Sequence, residues 1–126
     1  MIFGIGTDLI EVERVAEKME KKQGFKELVF SAGEIIYCEA RTFKYEHYAA
    51  RFAAKEAFLK AIGTGWRNGT AFNEIEIYND EEGKPEISFH GLTAKTIADM
   101  KLGKIFVSLS HLKTIACAMV IIEKEI

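Results

Sequence analysis

Proline, cysteine and net charge are all scarce in this chain. Its 126 residues include one proline and two cysteines, and the formal charge is −2. With so little proline and no Gly/Ser-rich or low-complexity tract, nothing marks a linker, so one domain over residues 1–126 is expected. Cys38 and Cys117 stand in apolar surroundings without CxxC spacing or a histidine set for zinc, and read as reduced core thiols. A charge this near zero gives no general footprint for nucleic acid, and any basic patch must be local. The apolar runs near the two ends reach about ten residues, where roughly 20 are needed to cross a bilayer. The opening Met1-Ile2-Phe3-Gly4 lacks a basic n-region and a cleavage site. A cytoplasmic location, with no membrane association, is the expectation.

What is present is an ordinary globular balance, 48% hydrophobic and 29% charged, enough for a core without staples. Ile2 to Asp8 reads as a strand interrupted by Gly4 and Gly6, which permit a sharp bend or close backbone approach beside Asp8. A turn carrying Asp8 then leads to a helix over Glu11 to Lys22, with Val12, Val15, Ala16 and Met19 on one side. Ser31 and Glu34 have capping-box spacing, so a helix starts there and buries Ile35, Ile36 and Tyr37. A long helix runs from about Tyr45 to Ile62 and stops at Gly63-Thr64-Gly65. Ile75 and Ile77, then Ile87 and Phe89, alternate about a turn-rich stretch and predict a hairpin with Pro85 near its edge. The spacing of Asn79 to Gly83 is not that of an EF-hand, so this tip reads as solvated rather than calcium-binding. A short helix over Leu92 to Lys101 behind Thr93 follows. Ile105, Val107 and Leu109 alternate in a strand, and Ile115 to Ile122 is apolar on both faces, as for a strand covered on both sides by layers or subunits. The order predicts an α+β fold, with the N-terminal strand and helices packed on a mainly antiparallel sheet.

The chemistry concentrates in Arg51-Phe52-Ala53-Ala54-Lys55-Glu56-Ala57-Phe58-Leu59-Lys60. On a helix, Glu56 falls within roughly 60° of Ala49, Phe52, Ala53 and Leu59, a costly place for an unpartnered carboxylate. Lys60, one turn along, is the first candidate partner, and the pair reads equally as an ordinary i,i+4 surface pair. The alternative is that Glu56 shares a cation with Asp8, which otherwise simply caps the following helix. Two carboxylates with water and phosphate oxygens suit magnesium. His111 ends a strand where side chains reach clefts, and beside Lys60, Arg51 and Lys55 it can hold phosphates, although lone histidines are common on surfaces and in cores. Gly63-Thr64-Gly65 lacks the pattern of a P-loop and reads as a helix stop beside which a ligand can lie close. Arg14, Lys18 and Lys21 line one stripe of the first helix. Their like-charge i,i+4 spacing is relieved by an acidic partner, or else by a mixed solvated face in which Glu17 pairs Lys21.

Three ordered motifs carry a resemblance over nearly the whole chain: Gly4-Ile5-Gly6-Thr7-Asp8, the Arg51 to Lys60 run with Gly63-Thr64-Gly65, and Ser108-Leu109-Ser110-His111. Together they resemble the short, homotrimeric phosphopantetheinyl transferases, the holo-[acyl-carrier-protein] synthases. The resemblance implies a Mg2+-dependent transfer of 4′-phosphopantetheine from coenzyme A to a serine of an acidic apo acyl carrier protein, releasing adenosine 3′,5′-bisphosphate and supporting fatty acid biosynthesis. It implies Asp8 and Glu56 as metal ligands, and Lys60, His111 and Arg51, with Gly63 and Gly65 alongside, around coenzyme A. Glu56 and Lys60 would serve catalysis, with Glu56 activating the serine directly or through a metal-bound water. Arg14, Lys18 and Lys21 would dock the carrier, and the sites would lie between subunits of a homotrimer. Two rival classes are separable by experiment. A coenzyme A or carrier sensor would add no mass to the carrier, and a purely structural oligomer would bind no coenzyme A.

Overall fold

The computed structural model describes residues 1–65 and 69–126. It is α+β. In chain order the elements are β1 (Ile2–Glu11), α1 (Val12–Lys21), α2 (Phe25–Val29), α3 (Ala32–Glu39), α4 (Lys44–Ile62), β2 (Ile75–Asn79), β3 (Pro85–Phe89), α5 (Gly91–Asp99), β4 (Leu102–His111) and β5 (Ile115–Lys124), with a 3-10 turn at Phe72–Glu74. β1, β5 and β4 form an antiparallel sheet in that order, and β2 and β3 form a separate antiparallel hairpin.

α4 is the central element. Alanine dominates its sequence, and its buried residues Ala53, Ala54, Ala57, Phe58 and Leu59 form one core with Ala118, Val120 and Ile122 of β5. Small side chains let the helix lie close to the sheet. At β1 the approach is closer still, because a Cβ built on Gly4 would overlap the Ala61 carbonyl and one on Gly6 the Ala57 carbonyl. The two glycines thus serve close approach rather than a bend, and the backbone they meet belongs to α4. The helix ends as expected at Gly63, whose φ of 79° is left-handed and whose N–H donates to the Lys60 carbonyl at 3.0 Å.

The first strand runs three residues beyond the expected Ile2 to Asp8. Asp8 is not in a turn and caps nothing; it lies within β1 opposite Ala118. Extension of the ladder with β5 outweighs the helix-capping preference of an aspartate. α2 was not foreseen. At five residues it is too short for its periodicity to register. The Ser31–Glu34 capping box is present in both directions, but α3 turns Ile36 outward at 73% exposure and buries Glu34 and Cys38. α5 begins at Gly91, and Thr93 is buried inside it with its hydroxyl donating to Glu74 Oε1 at 2.7 Å. At the hairpin tip, Asp80 Oδ1 accepts from the backbone of Glu82 and Lys84, both at 2.9 Å, which closes the turn with the chain's own donors.

β5 separates two environments. Ala116, Ala118, Val120 and Ile122 face α4 and are buried, whereas Ile115 and Met119 on the other side stay exposed. Cys117 shares that outer side and is half-buried, not a core thiol; Cys38 is fully buried, and burial pushes its thiol up to about 12. No described helix is long and apolar enough to cross a membrane.

Candidate active site

Asp8, Arg14, Lys18 and Glu56 line one cavity and Arg51 and His111 another, with no lining residue in common. The first, about 300 Å³, is lined by Asp8, Arg14, Val15, Lys18, Phe52 and Glu56, among others. Its floor follows from the glycine contact, because pressing α4 onto β1 brings Glu56 and Lys60 beside Asp8. Lys60 does not pair with Glu56. Its ammonium donates to Asp8 Oδ1 and to the Thr7 carbonyl, both at 3.0 Å, and its side chain remains 55% exposed. An ammonium has three donors, and among the described residues two are used, which leaves the third for a ligand.

Glu56 is half-buried and, among the described residues, makes no hydrogen bond or ion pair. Burial first, and then the charge of Asp8, raise its pKa above the ordinary carboxylate value, against smaller opposing effects of Lys60 and Lys18. Two carboxylates facing one cavity, one of them unpaired, are a fit for a hard cation that keeps most of its waters. Among the described residues no group of three or more His, Cys, Asp and Glu side chains can hold a metal, so an all-protein cage is not offered. Arg14 and Lys18 stand over this cavity from α1. Lys21, on the same helix, lies outside it. Among the described residues none of the three makes an ion pair, and the expected Glu17–Lys21 pair does not form.

The second cavity, about 180 Å³, is lined by Tyr37, His47, Arg51, Asn79, Pro85 and His111, among others. The guanidinium carbons of Arg41 and Arg51 both lie 4.1 Å from the Tyr37 ring centre. Two cations that close to one ring must take opposite faces, so the tyrosine acts as a platform between them. Arg51 is 2% exposed; Nη2 donates to Asn79 Oδ1 at 3.4 Å, and among the described residues Nε has no partner. A buried donor left unpaired invites an acceptor. His47 is held below the usual histidine range by burial, then by His111, Arg51 and Arg41, so the cavity carries positive charge.

Lys55 belongs to neither cavity. Expected to help with phosphates, it is instead fully buried, donating to Glu34 Oε1 at 2.6 Å, the Val29 carbonyl at 2.6 Å and the Phe72 carbonyl at 2.7 Å. Burial lowers its pKa, and Glu34 opposes that shift. Glu34 in turn accepts from the backbone of Ser31 and Ile77 at 2.9 and 2.8 Å. All three ammonium donors are used, and the pair ties α3, α4 and β2 together. Gly63 and Gly65 lie past the C-terminal end of α4 and line neither cavity. The platform of Tyr37 was missed by sequence reasoning; the available signal was an aromatic four residues before Arg41 in a chain with few other reasons to order an arginine.

The model of the 4′-phosphopantetheinyl transferase superfamily matches residues 4–119. A holo-[acyl-carrier-protein] synthase of Geobacter metallireducens is 43% identical over 125 residues, covering 98% of this chain and 99% of that one. One of Cytophaga hutchinsonii is 45% identical over 131 residues, covering 99% of this chain and 100% of that one. The crystal structure of the synthase from Neisseria meningitidis superposes with a TM-score of 0.89 at 33% identity, covering 98% of this chain and 100% of that one. The Bacillus anthracis synthase in complex with CoA (3′,5′-ADP) superposes at 0.81 with 34% identity, covering 99% of each chain.

Proposed function

This chain belongs to the 4′-phosphopantetheinyl transferase superfamily as an enzyme of the holo-[acyl-carrier-protein] synthase kind, and from that premise we propose a magnesium-dependent transfer of 4′-phosphopantetheine from coenzyme A to a serine of an apo acyl carrier protein. Adenosine 3′,5′-bisphosphate is released, and the holo carrier serves fatty acid biosynthesis. The observation that carries the reading is the meeting of Asp8, Glu56 and the Lys60 ammonium beside a helix whose cations are unpaired.

In the reaction the serine Oγ attacks the β-phosphorus of coenzyme A. The new O–P bond forms as the bond from that phosphorus to the bridging pyrophosphate oxygen breaks, and the negative charge leaves on adenosine bisphosphate. Glu56 takes the hydroxyl proton; its pKa, raised by burial and by Asp8, makes the carboxylate a better proton acceptor than a solvated one. Lys60 donates once to Asp8 and once to the Thr7 carbonyl, which holds it beside the cavity, and offers its third donor to a phosphate oxygen. Magnesium, held by Asp8 and Glu56, would supply charge neutralisation at the pyrophosphate oxygens. Phosphoryl transfer is mainly positioning plus charge stabilisation, which suits a site with so few reactive side chains.

Arg51 and His111, which line one cavity, receive the phosphates of the adenosine end. The crystal structure of the B. anthracis relative carries CoA (3′,5′-ADP), a ligand of that chemistry. The two cavities work together across subunits of a homotrimer. Support comes from the outer face of the three-stranded sheet, where Ile5 is 59% and Leu9 69% exposed next to Phe106, Ile115 and Met119; such a contiguous apolar face marks an interface. Arg14, Lys18 and Lys21 meet the acidic carrier beside the Asp8–Glu56 cavity. The deciding experiment incubates the protein, coenzyme A, magnesium and apo carrier, then weighs the carrier. A phosphopantetheine mass increase that disappears with chelator supports the reading; an unmodified carrier refutes it.

A further inference from the structure

His111 is the last residue of β4, and its ring is fixed by two contacts that the reaction above leaves without a purpose. Its Nδ1 lies 2.9 Å from Oε1 of Glu46 on the first turn of α4, and its ring meets that of His47 edge-on, centres 5.0 Å apart at 64°. The Glu46 side chain is only 15% exposed. A carboxylate can only accept, which places a hydrogen on Nδ1 and leaves Nε2 as the ring nitrogen available to the cavity shared with Arg51, Tyr37 and Asn79. Donation from Nε2 to an anion requires the doubly protonated ring, and the Glu46 charge on the opposite side balances the charge of that form. Without Glu46 the imidazole could take the other tautomer or turn about χ2, and it would face Arg51 and Arg41 with no acid against it.

We infer that Glu46 is a positioning residue: it holds the Nδ1–H of His111 and so orients the ring with Nε2 towards a phosphate of coenzyme A, to which Nε2 donates when both ring nitrogens carry a proton. The inference rests on the reading that His111 contacts coenzyme A, and the test keeps the two apart. Coenzyme A affinity is measured by calorimetry on the full-length protein for wild type, E46A, E46Q, H111A and E46A/H111A, and the tautomer of His111 is read from its ring nitrogens by 15N NMR. E46A is expected to weaken coenzyme A about tenfold, the scale of a lost hydrogen bond to a charged group, with a shift of His111 away from the Nδ1–H form. E46Q, whose amide oxygen still accepts from Nδ1, should stay within about threefold of wild type. The double variant should bind no more weakly than H111A. An E46A penalty that persists in full in the H111A background, or a tautomer unchanged by E46A, overturns the inference by showing that Glu46 acts elsewhere or only on the fold; E46Q and the tautomer decide the matter even if E46A melts early. Weakened binding in H111A with unaltered binding in E46A removes Glu46 alone, whereas unaltered binding in H111A removes both statements.

Discussion

The two cavities are served by one helix, and the charged group each leaves unsatisfied is of opposite sign. In the first, Glu56 and Asp8 line one space, and among the described residues Glu56 has no partner; in the second, Arg51 lies against the Tyr37 ring, and among the described residues its Nε has none. Arg51 and Glu56 are five residues apart, which turns them about 140° from each other around α4. Each cavity holds a charged group not fully partnered among the described residues, which a ligand of the opposite sign would satisfy. The comparison teaches where to look for function: in the groups whose charges are not satisfied, rather than in charged groups as such. Lys55 makes the contrast explicit. It lies between Arg51 and Glu56 in sequence, is as charged as either, and has every donor used.

That contrast can be broken most severely at Lys55. Replacing it with methionine leaves Glu34 ionised and buried, and a loss of about 3–5 kcal/mol is expected in chemical denaturation. A smaller loss, with activity falling instead, would place Lys55 among the ligand-binding groups. Glu56→Gln should lower turnover by about 10²–10³-fold, the range for removing one preorganised charge-stabilising group, while the variant folds; unchanged turnover would empty the acidic cavity of its role. Arg51→Met should act on the other side of the comparison, raising KM for coenzyme A by about tenfold or more with less effect on kcat. A kcat effect alone would merge the two cavities into one function. Smaller still, Arg14→Ala and Lys18→Ala should each raise KM for the carrier a few-fold, by about 0.5–1 kcal/mol in a salt-dependent way, and leave coenzyme A untouched.

The last prediction concerns pH. The raised pKa of Glu56 means that the fold favours its neutral form. Its contribution to stability is therefore present at low pH and is lost as the pH rises from the unperturbed carboxylate range through the folded pKa. Without divalent ions, the melting temperature of Glu56→Gln should exceed that of wild type at neutral pH, and the gap should close towards pH 4.5, the ordinary value for the group. A gap that widens on acidification would show that Glu56 is stabilised as the anion.

Local rules made some parts of this molecule legible and not others. The Ser31–Glu34 box, the Gly63 stop and the hairpin around Pro85 depend on neighbours within a few residues, and all three formed as read. Pairing of Asp8 with Lys60 rather than Glu56 with Lys60 depends on β1 lying against α4, 52 residues away, which no helical wheel contains. Lys55 was misplaced for the same reason, since its acceptors lie 17 to 26 residues distant. Arg51 and His111 line one cavity and Asp8 and Glu56 another, because five residues along α4 turn Arg51 and Glu56 to different sides of the helix, a separation that local sequence spacing does not show.

The contact of Gly4 and Gly6 with Ala57 and Ala61 has a mechanical consequence. Most helix–sheet interfaces are cushioned by side chains that change rotamer, so their spacing drifts with temperature and with mutation. Here peptide groups rest on peptide groups, a hard stop with nothing to compress. The gap that separates Asp8 from Glu56 is gauged by that stop, and it should tolerate repacking elsewhere in the core with little change in width.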